Sequence, residues 1–224
     1  MPIEERQREE KEERRRTIVD AAEAVLAEKG RDAVTMADIA DEARLSRSLL
    51  YVYFEDMDDI MLAVTHRGFQ SMRERFEAAV QAHDTGRSQI RAIGDAYVRF
   101  ARKEPTYFDL VAQFESRAAA PDDASERVRQ CLAEADRGLG AMAEAIRNGI
   151  DDGSIRSNLD PRQTAVTLWG STHGLIQLAA NKGKGLEERY DLDPGSLVEN
   201  GLDFLGLALS GSGENRRARG AQGR

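Results

Sequence analysis

A stretch near the N-terminus decides the fold, because it carries two short helical patterns separated by a turn. Residues 35–54 read TMADIADEARLSRSLLYVYF. Thr35 is followed three residues later by Asp38, which is the spacing of a helix-capping box, and an apolar stripe then indicates a short helix. Ser46 can cap a second short helix that runs to Phe54. Two short helices joined by a tight turn, after a longer helix that ends before Gly30, predict a helix-turn-helix.

The second short helix has two chemically different faces. Leu50 and Phe54 share one face with Leu45, so we expect them to pack on the neighbouring helices. The opposite face carries Arg, Ser and Tyr and no carboxylate, which suits a helix in the major groove of DNA, where arginine can bridge O6 and N7 of guanine. The residues that we expect at the DNA are Thr35, Arg44, Ser46, Arg47, Ser48, Leu49, Tyr51, Val52 and Tyr53.

This region resembles the DNA-binding domain of the TetR family of transcriptional regulators. The match includes residues 35–54, the segment RTIVDAA at residues 16–22 and the position of Gly30, about 45 residues in all. The resemblance implies a homodimeric regulator, repressor-like, that binds a near-palindromic double-stranded DNA operator and is released by a small effector. We also expect that the chain is not an enzyme, because the sequence has no base–nucleophile or metal constellation.

Several positions depart from the family pattern. Arg44 stands where members usually carry glycine, Ser48 and Leu49 where they often have glycine or proline and then threonine, and Met57 where they often have lysine. Residues 1–54 contain ten Lys and Arg but thirteen Asp and Glu, so we expect low non-specific DNA affinity. We expect Arg44 to supply part of the phosphate binding that Met57, unlike a lysine, cannot provide. The alternative is a helical small-molecule or protein-binding module whose helix-turn-helix no longer binds DNA strongly.

The rest of the chain predicts further helices and an all-α fold. Proline follows a capping aspartate at residues 160–161 and 193–194, as at helix starts. We expect helices over residues 57–81, 87–103, 105–116, 124–151, 161–181 and 194–209. The predicted organisation is a helix-turn-helix DNA-binding head (1–56, with a disordered leader over 1–12), a helical ligand-binding and dimerisation body (57–210) and a disordered tail (211–224).

The body contains a candidate effector site. Residues 169–174, WGSTHG, resemble the Trp-His-Gly signature of one TetR C-terminal subgroup. Trp169 and His173 lie four residues apart on one helical face, where they either line a cavity or form a core with a hydrogen-bonded histidine. If a cavity exists, the aromatic content favours a small hydrophobic or aromatic effector. The candidate ligand residues are Tyr97, Phe100, Phe108, Phe114, Trp169 and His173.

An uncharged run of 18 residues, 164–181, has too many polar groups for a lipid-exposed span, so we expect it inside protein rather than in a membrane. Together with an apolar stripe on the last helix (Leu197, Val198, Leu202, Leu205 and Leu209) it predicts a homodimer built from two helices of each subunit.

Composition excludes several functions. The net charge of −8 argues against a protein that coats nucleic acid non-specifically. The histidines are scattered, without a second ligand at metal spacing, and the GLGAMA segment at residues 138–143 follows no strand, so we expect no metal, cofactor or catalytic site. The single cysteine, Cys131, cannot form an internal disulfide, which fits the cytoplasm.

Overall fold

The computed structural model describes residues 3–117 and 124–210, which fold into nine α-helices. Within these ranges we find no strand, only one isolated bridge between Ile155 and Ser210. The predicted all-α class is therefore confirmed. The helices are α1 (Ile3–Lys29), α2 (Met36–Glu42), α3 (Arg47–Tyr53), α4 (Met57–Gln81), α5 (Gly86–Lys103), α6 (Pro105–Arg117), α7 (Glu126–Asp151), α8 (Pro161–Tyr190) and α9 (Pro194–Leu209).

Helix ends agree with the sequence prediction to within two residues for α4 to α7 and for α9. The exception is α8, which continues nine residues past the predicted end at 181 and stops at Asp191, whose φ of 54° is left-handed. Two glycines after residue 181 favour an early end by sequence. The helix continues through Gly183, and the glycine there permits a close contact with α9, because a Cβ would lie 2.9 Å from Pro194.

Helix α1 begins earlier than the sequence predicts. Disorder is expected over the leader, residues 1–12, but its described part is helical from Ile3 onward. Charged side chains four residues apart support the exposed helix, as in the ion pair between Arg6 and Glu10 at 2.9 Å. The predicted disordered tail, 211–224, lies outside the described residues.

The chain divides into two compact units. The first comprises the residues up to Gln70 together with Glu104–Glu134, and so contains α1 to α3, α6 and parts of α4 and α7. It extends past residue 56, the boundary expected from sequence, because the helix-turn-helix shares its core with later helices. Buried members of that core include Ile18, Leu26, Ile39, Leu50, Phe54, Ile60, Val64 and Leu110.

The second unit comprises Ser71–Lys103 and the described residues from Ala135 onward. Glycines set close helix contacts inside it. A Cβ at Gly86 of α5 would lie 2.0 Å from the backbone nitrogen of Gly149 in α7, and one at Gly201 of α9 would lie 2.3 Å from a Leu175 methyl in α8. No helix in the described ranges is long and apolar enough to cross a membrane, and this includes the uncharged run in α8.

Candidate DNA interface and effector site

Local hydrogen bonds fix both helices of the helix-turn-helix as the sequence predicts. Thr35 caps α2, with its Oγ1 accepting from the Asp38 backbone at 3.2 Å while Asp38 Oδ2 accepts from the Thr35 backbone at 2.9 Å. Ser46 caps α3, with its Oγ accepting from the Leu49 backbone at 3.2 Å. These caps satisfy amide groups that would otherwise lack partners at the two helix starts.

Helix α3 presents one buried and one exposed face. Leu50 is fully buried, the C-cap residue Phe54 is 2% exposed, and Leu45 packs against the same core. The other side of the helix is open to solvent, with Tyr51 52% and Val52 68% exposed. The nine residues predicted at the DNA divide accordingly: Leu49 and Tyr53 are partly buried, and Thr35, Arg44, Ser46, Arg47, Ser48, Tyr51 and Val52 are exposed.

Arg44 occupies the tightest point of the turn between α2 and α3. Its φ is 55°, in the left-handed region that favours glycine, because the Leu45 amide must turn back to donate to the Ala40 carbonyl at 2.9 Å. Family members usually carry glycine at this position, and glycine adopts a left-handed conformation without steric strain. The arginine side chain is exposed, so the strain holds a cation beside the start of α3.

Two arginines that sequence analysis missed hold the end of α3. Arg15 of α1 donates from Nη2 to the carbonyl oxygen of Tyr53 at 2.5 Å, and its guanidinium lies 5.2 Å from the centre of the Phe54 ring. Arg127 of α7 lies over the same ring at 4.9 Å and bonds to Asp59. Neither contact has a local sequence signal, since Arg15 and Tyr53 are 38 residues apart.

The acidic residues before α4 have structural partners. Asp56 Oδ1 accepts from the Asp59 backbone at 2.9 Å, and Asp59 Oδ2 accepts from the Glu55 backbone at 3.1 Å. Met57, Asp58 and Asp59 form the first turn of the helix. Because carboxylates already sit at the positive end of its dipole, this helix start disfavours a DNA phosphate.

Four of the six predicted ligand residues come together in the second unit. The Tyr97 hydroxyl lies 2.6 Å from Nδ1 of His173, and the two rings stack with centroids 6.1 Å apart. Trp169 stacks on His173 at 5.6 Å, and Phe100 stacks on Tyr97 at 6.4 Å. Burial lowers the pKa of His173 from its usual 6.5, because the charged imidazolium loses solvation. Within this aromatic cluster the Tyr97 hydroxyl and Nδ1 of His173 are therefore each other's partners.

The other two predicted ligand residues lie in the first unit. Phe108 and Phe114 belong to α6, where Phe108 is 5% exposed and Phe114 meets Phe69 edge-on at 5.5 Å. The structure therefore places the six aromatics in two groups, and a ligand role for each remains a prediction. Across the described residues, no group of three His, Cys, Asp or Glu side chains could hold a metal ion.

A helix-turn-helix with an open, carboxylate-free recognition face, on a chain with a separate helical unit, defines a class of DNA-binding regulators. Residues 18–64 match the family described as "Bacterial regulatory proteins, tetR family", and residues 90–205 match the one described as "Tetracyclin repressor-like, C-terminal domain". The chain belongs to the TetR family, and it is a transcriptional regulator and not an enzyme.

Relatives of known role extend over most of the chain. The "Fatty acid metabolism regulator protein" of Bacillus subtilis is 23% identical over 176 residues, covering 78% of this chain and 86% of that protein. The "HTH-type transcriptional activator FasR" of Mycolicibacterium smegmatis is 28% identical over 201 residues, covering 89% and 84%. The crystal structure of the regulator FadR from Bacillus subtilis in complex with stearoyl-CoA has a TM-score of 0.64 at 21% identity, covering 84% of this chain and 96% of that one, and shows the shared fold.

Proposed function

We propose that the protein is a ligand-responsive repressor that binds a near-palindromic operator as a homodimer and is released by a small hydrophobic effector. The observation that carries the DNA-binding part is the exposed face of α3. Arg47, Ser48 and Tyr51 are open to solvent on this face, whereas Leu50 fixes the helix to the core of its own unit. A helix held this way can enter a major groove without losing its packing.

The proposed subunit contact is formed by helices α8 and α9. The residues that form it differ from the apolar stripe that the sequence predicts on α9. The predicted stripe on α9 packs within its own unit: Val198, Leu202 and Leu209 are buried. Phe204 and Leu207 instead are 72% and 70% exposed. On α8 four of the exposed positions recur at a spacing of four residues, at Val166, Gly170, Gly174 and Leu178. Large apolar side chains this exposed on two neighbouring helices favour a two-fold contact with a second copy.

A hydrophobic effector is favoured by two observations. The family's C-terminal domain matches residues 90–205, most of which belong to the second unit, and the interior of that unit is apolar and aromatic. FadR of Bacillus subtilis, a protein of the same fold, was crystallised with stearoyl-CoA. An effector releases DNA only if it binds one conformation better than the other, and a tenfold loss of DNA affinity requires about 1.4 kcal/mol of coupling.

Selection of the full chain on random double-stranded DNA tests the proposal. We expect an enriched palindrome with half-sites about 34–36 Å apart, one helical turn of DNA. Arg47→Ala should weaken binding by roughly 1–3 kcal/mol and relax one base position, whereas Tyr51→Phe should weaken it evenly across sequences. Arg147→Ala, which removes an exposed arginine from α7 in the second unit, is the matched control and should leave the preferred sequence unchanged.

The second candidate is a helical module whose head no longer binds DNA strongly. Two observations favour it: the excess of acidic residues in residues 1–54, and the carboxylates at the start of α4. The same selection separates the two functions. Failure to enrich any sequence, in a chain that melts cooperatively, would favour the module over the repressor.

A further inference from the structure

A cavity of about 370 Å³ lies in the second unit, bordered by α5, α8 and α9 and by Met142 of α7. Its volume is in the range of sites that hold small organic molecules. None of the six predicted ligand residues lines it. Its walls are mostly apolar and are formed by Ile90, Gly94, Met142, Leu168, Leu202, Leu205, Gly206, Leu207 and Leu209.

The cavity lies on a different side of α8 from the aromatic cluster. Leu168 and Thr172 line the cavity, whereas Trp169 and His173 stack in the cluster. Trp169 and His173 each lie one residue after a cavity-lining residue, and one residue corresponds to a rotation of about 100° around a helix. The cavity is therefore a separate candidate site, one that the aromatic content of the sequence does not indicate.

Thr172 gives the cavity a polar anchor. It is only 6% exposed and lines the cavity, yet its hydroxyl forms no hydrogen bond with another residue in the described ranges. Other helical threonines of this chain bond to the carbonyl four residues earlier: Thr65 to Met61 and Thr167 to Gln163, both at 2.8 Å. The hydroxyl is accessible from the cavity rather than enclosed in the core, so a bound molecule that accepted a hydrogen bond from it would gain affinity.

The charges at the cavity favour an anion over a cation. Two arginines, Arg87 and Arg91, and one carboxylate, Asp203, are among its lining residues. Arg91 bonds to Asp95 at 3.1 Å and also to Asp203, which ties α5 to α9. The lining as a whole carries a net positive charge, and a ligand with a negative head group is therefore preferred.

We infer that this cavity binds an amphipathic carboxylate, with its aliphatic chain against the leucine-rich walls and its head group accepting a hydrogen bond from the Thr172 hydroxyl. The inference that this ligand binds depends only on the cavity. The further step, that the bound ligand is the effector, rests on the proposed function.

Calorimetric titration of the full chain with decanoate tests the assignment. Thr172→Val removes the hydroxyl and keeps the side-chain shape; since no bond is broken, the melting temperature should stay the same or rise. Decanoate affinity should fall about three- to tenfold in this variant. Thr167→Val is the matched control on the same helix, at an exposed threonine whose hydroxyl is bonded to Gln163, and it should leave the affinity unchanged.

Decylamine has the same chain length with a positive head, and it should bind at least tenfold more weakly than decanoate. The assignment is overturned if decanoate does not bind, if Thr172→Val binds it as tightly as the unmodified chain, or if decylamine binds equally well. Titrating the selected operator with and without decanoate examines the effector role separately. Decanoate binding that leaves operator affinity unchanged would keep the site and contradict the effector role, whereas intact operator binding without decanoate binding would contradict the site alone.

Discussion

The Tyr97 hydroxyl and Nδ1 of His173 lie 2.6 Å apart and join α5 to α8 across 76 residues of sequence. The tyrosine hydroxyl can donate to an unprotonated Nδ1 or accept from a protonated one, so this contact is compatible with either charge state of the histidine. Burial already disfavours the imidazolium and lowers the pKa of His173. Burial therefore favours the neutral histidine in the folded protein.

Stability should therefore depend on pH through His173. In the unfolded chain the imidazole takes up a proton as the pH falls below about 6.5, whereas the folded protein resists protonation until a lower pH. The contribution is complete above pH 6.5 and decreases as the pH falls below it. Thermal unfolding between pH 7.5 and 5 should show a shallower decrease for His173→Gln than for the unmodified chain. His83→Gln, at an exposed histidine, is the control and should keep the original slope.

Arg44→Gly should stabilise the protein. The left-handed conformation at φ 55° is unfavourable for arginine by roughly 1–2 kcal/mol, and glycine offsets part of this gain through its larger unfolded-state entropy. We expect a net increase of about 1 kcal/mol in the free energy of unfolding, measured by urea denaturation. If Arg44 contacts a phosphate as proposed, the same variant should bind DNA more weakly with a smaller salt slope. A variant that is less stable than the unmodified chain would contradict the strain argument.

Glu115 should reduce stability as the pH rises. Its Oε2 is buried without a hydrogen-bond partner in the described structure, and burial raises the pKa of this carboxyl from 4.5 to about 8. The unfolded chain releases the proton near pH 4.5, so the folded state loses relative stability from there up to about pH 8. Glu115→Gln should thus be more stable than the unmodified chain by a margin that grows between pH 5 and 8. The exposed Glu28→Gln should show no such trend.

The fold can be predicted in detail where local chemistry determines it. Capping side chains act on amides three residues away, and Asp160 and Asp193 accept from the Gln163 and Ser196 backbones at 2.8 and 2.7 Å as their sequence positions indicate. Helix starts are therefore predictable. The end of α8 is less predictable, because glycine is a weak helix former by sequence and only the structure shows that Gly183 lies inside the helix, against Pro194.

The sites are less predictable because they depend on distant contacts. An apolar stripe on a helix indicates that this face is covered, but it does not show which element covers it. The stripe on α9 predicts a subunit contact for Leu202, whereas in the structure Leu202 is buried and lies beside Gly94 of the same chain. Arg15 reaches the end of α3 from α1 without any sequence signal. Thr172 likewise has no distinguishing signal, since only the structure shows that its hydroxyl lacks the bond formed by Thr167.

Phe204→Glu should convert the proposed dimer to a monomer. Phe204 is 72% exposed, so a glutamate there should leave the fold and the melting temperature of the isolated subunit nearly unchanged. In a two-fold contact, however, the substitution buries two unpaired charges and removes two aromatic side chains, which should weaken association by at least a hundredfold. Light scattering at micromolar concentration measures the change directly. Tyr190→Glu is the matched control, because Tyr190 is also a largely exposed aromatic residue, 65% exposed, but lies at the last turn of α8. This control should remain dimeric. An unmodified chain that is already monomeric, or a Phe204→Glu variant that stays dimeric, would exclude this surface as the subunit contact.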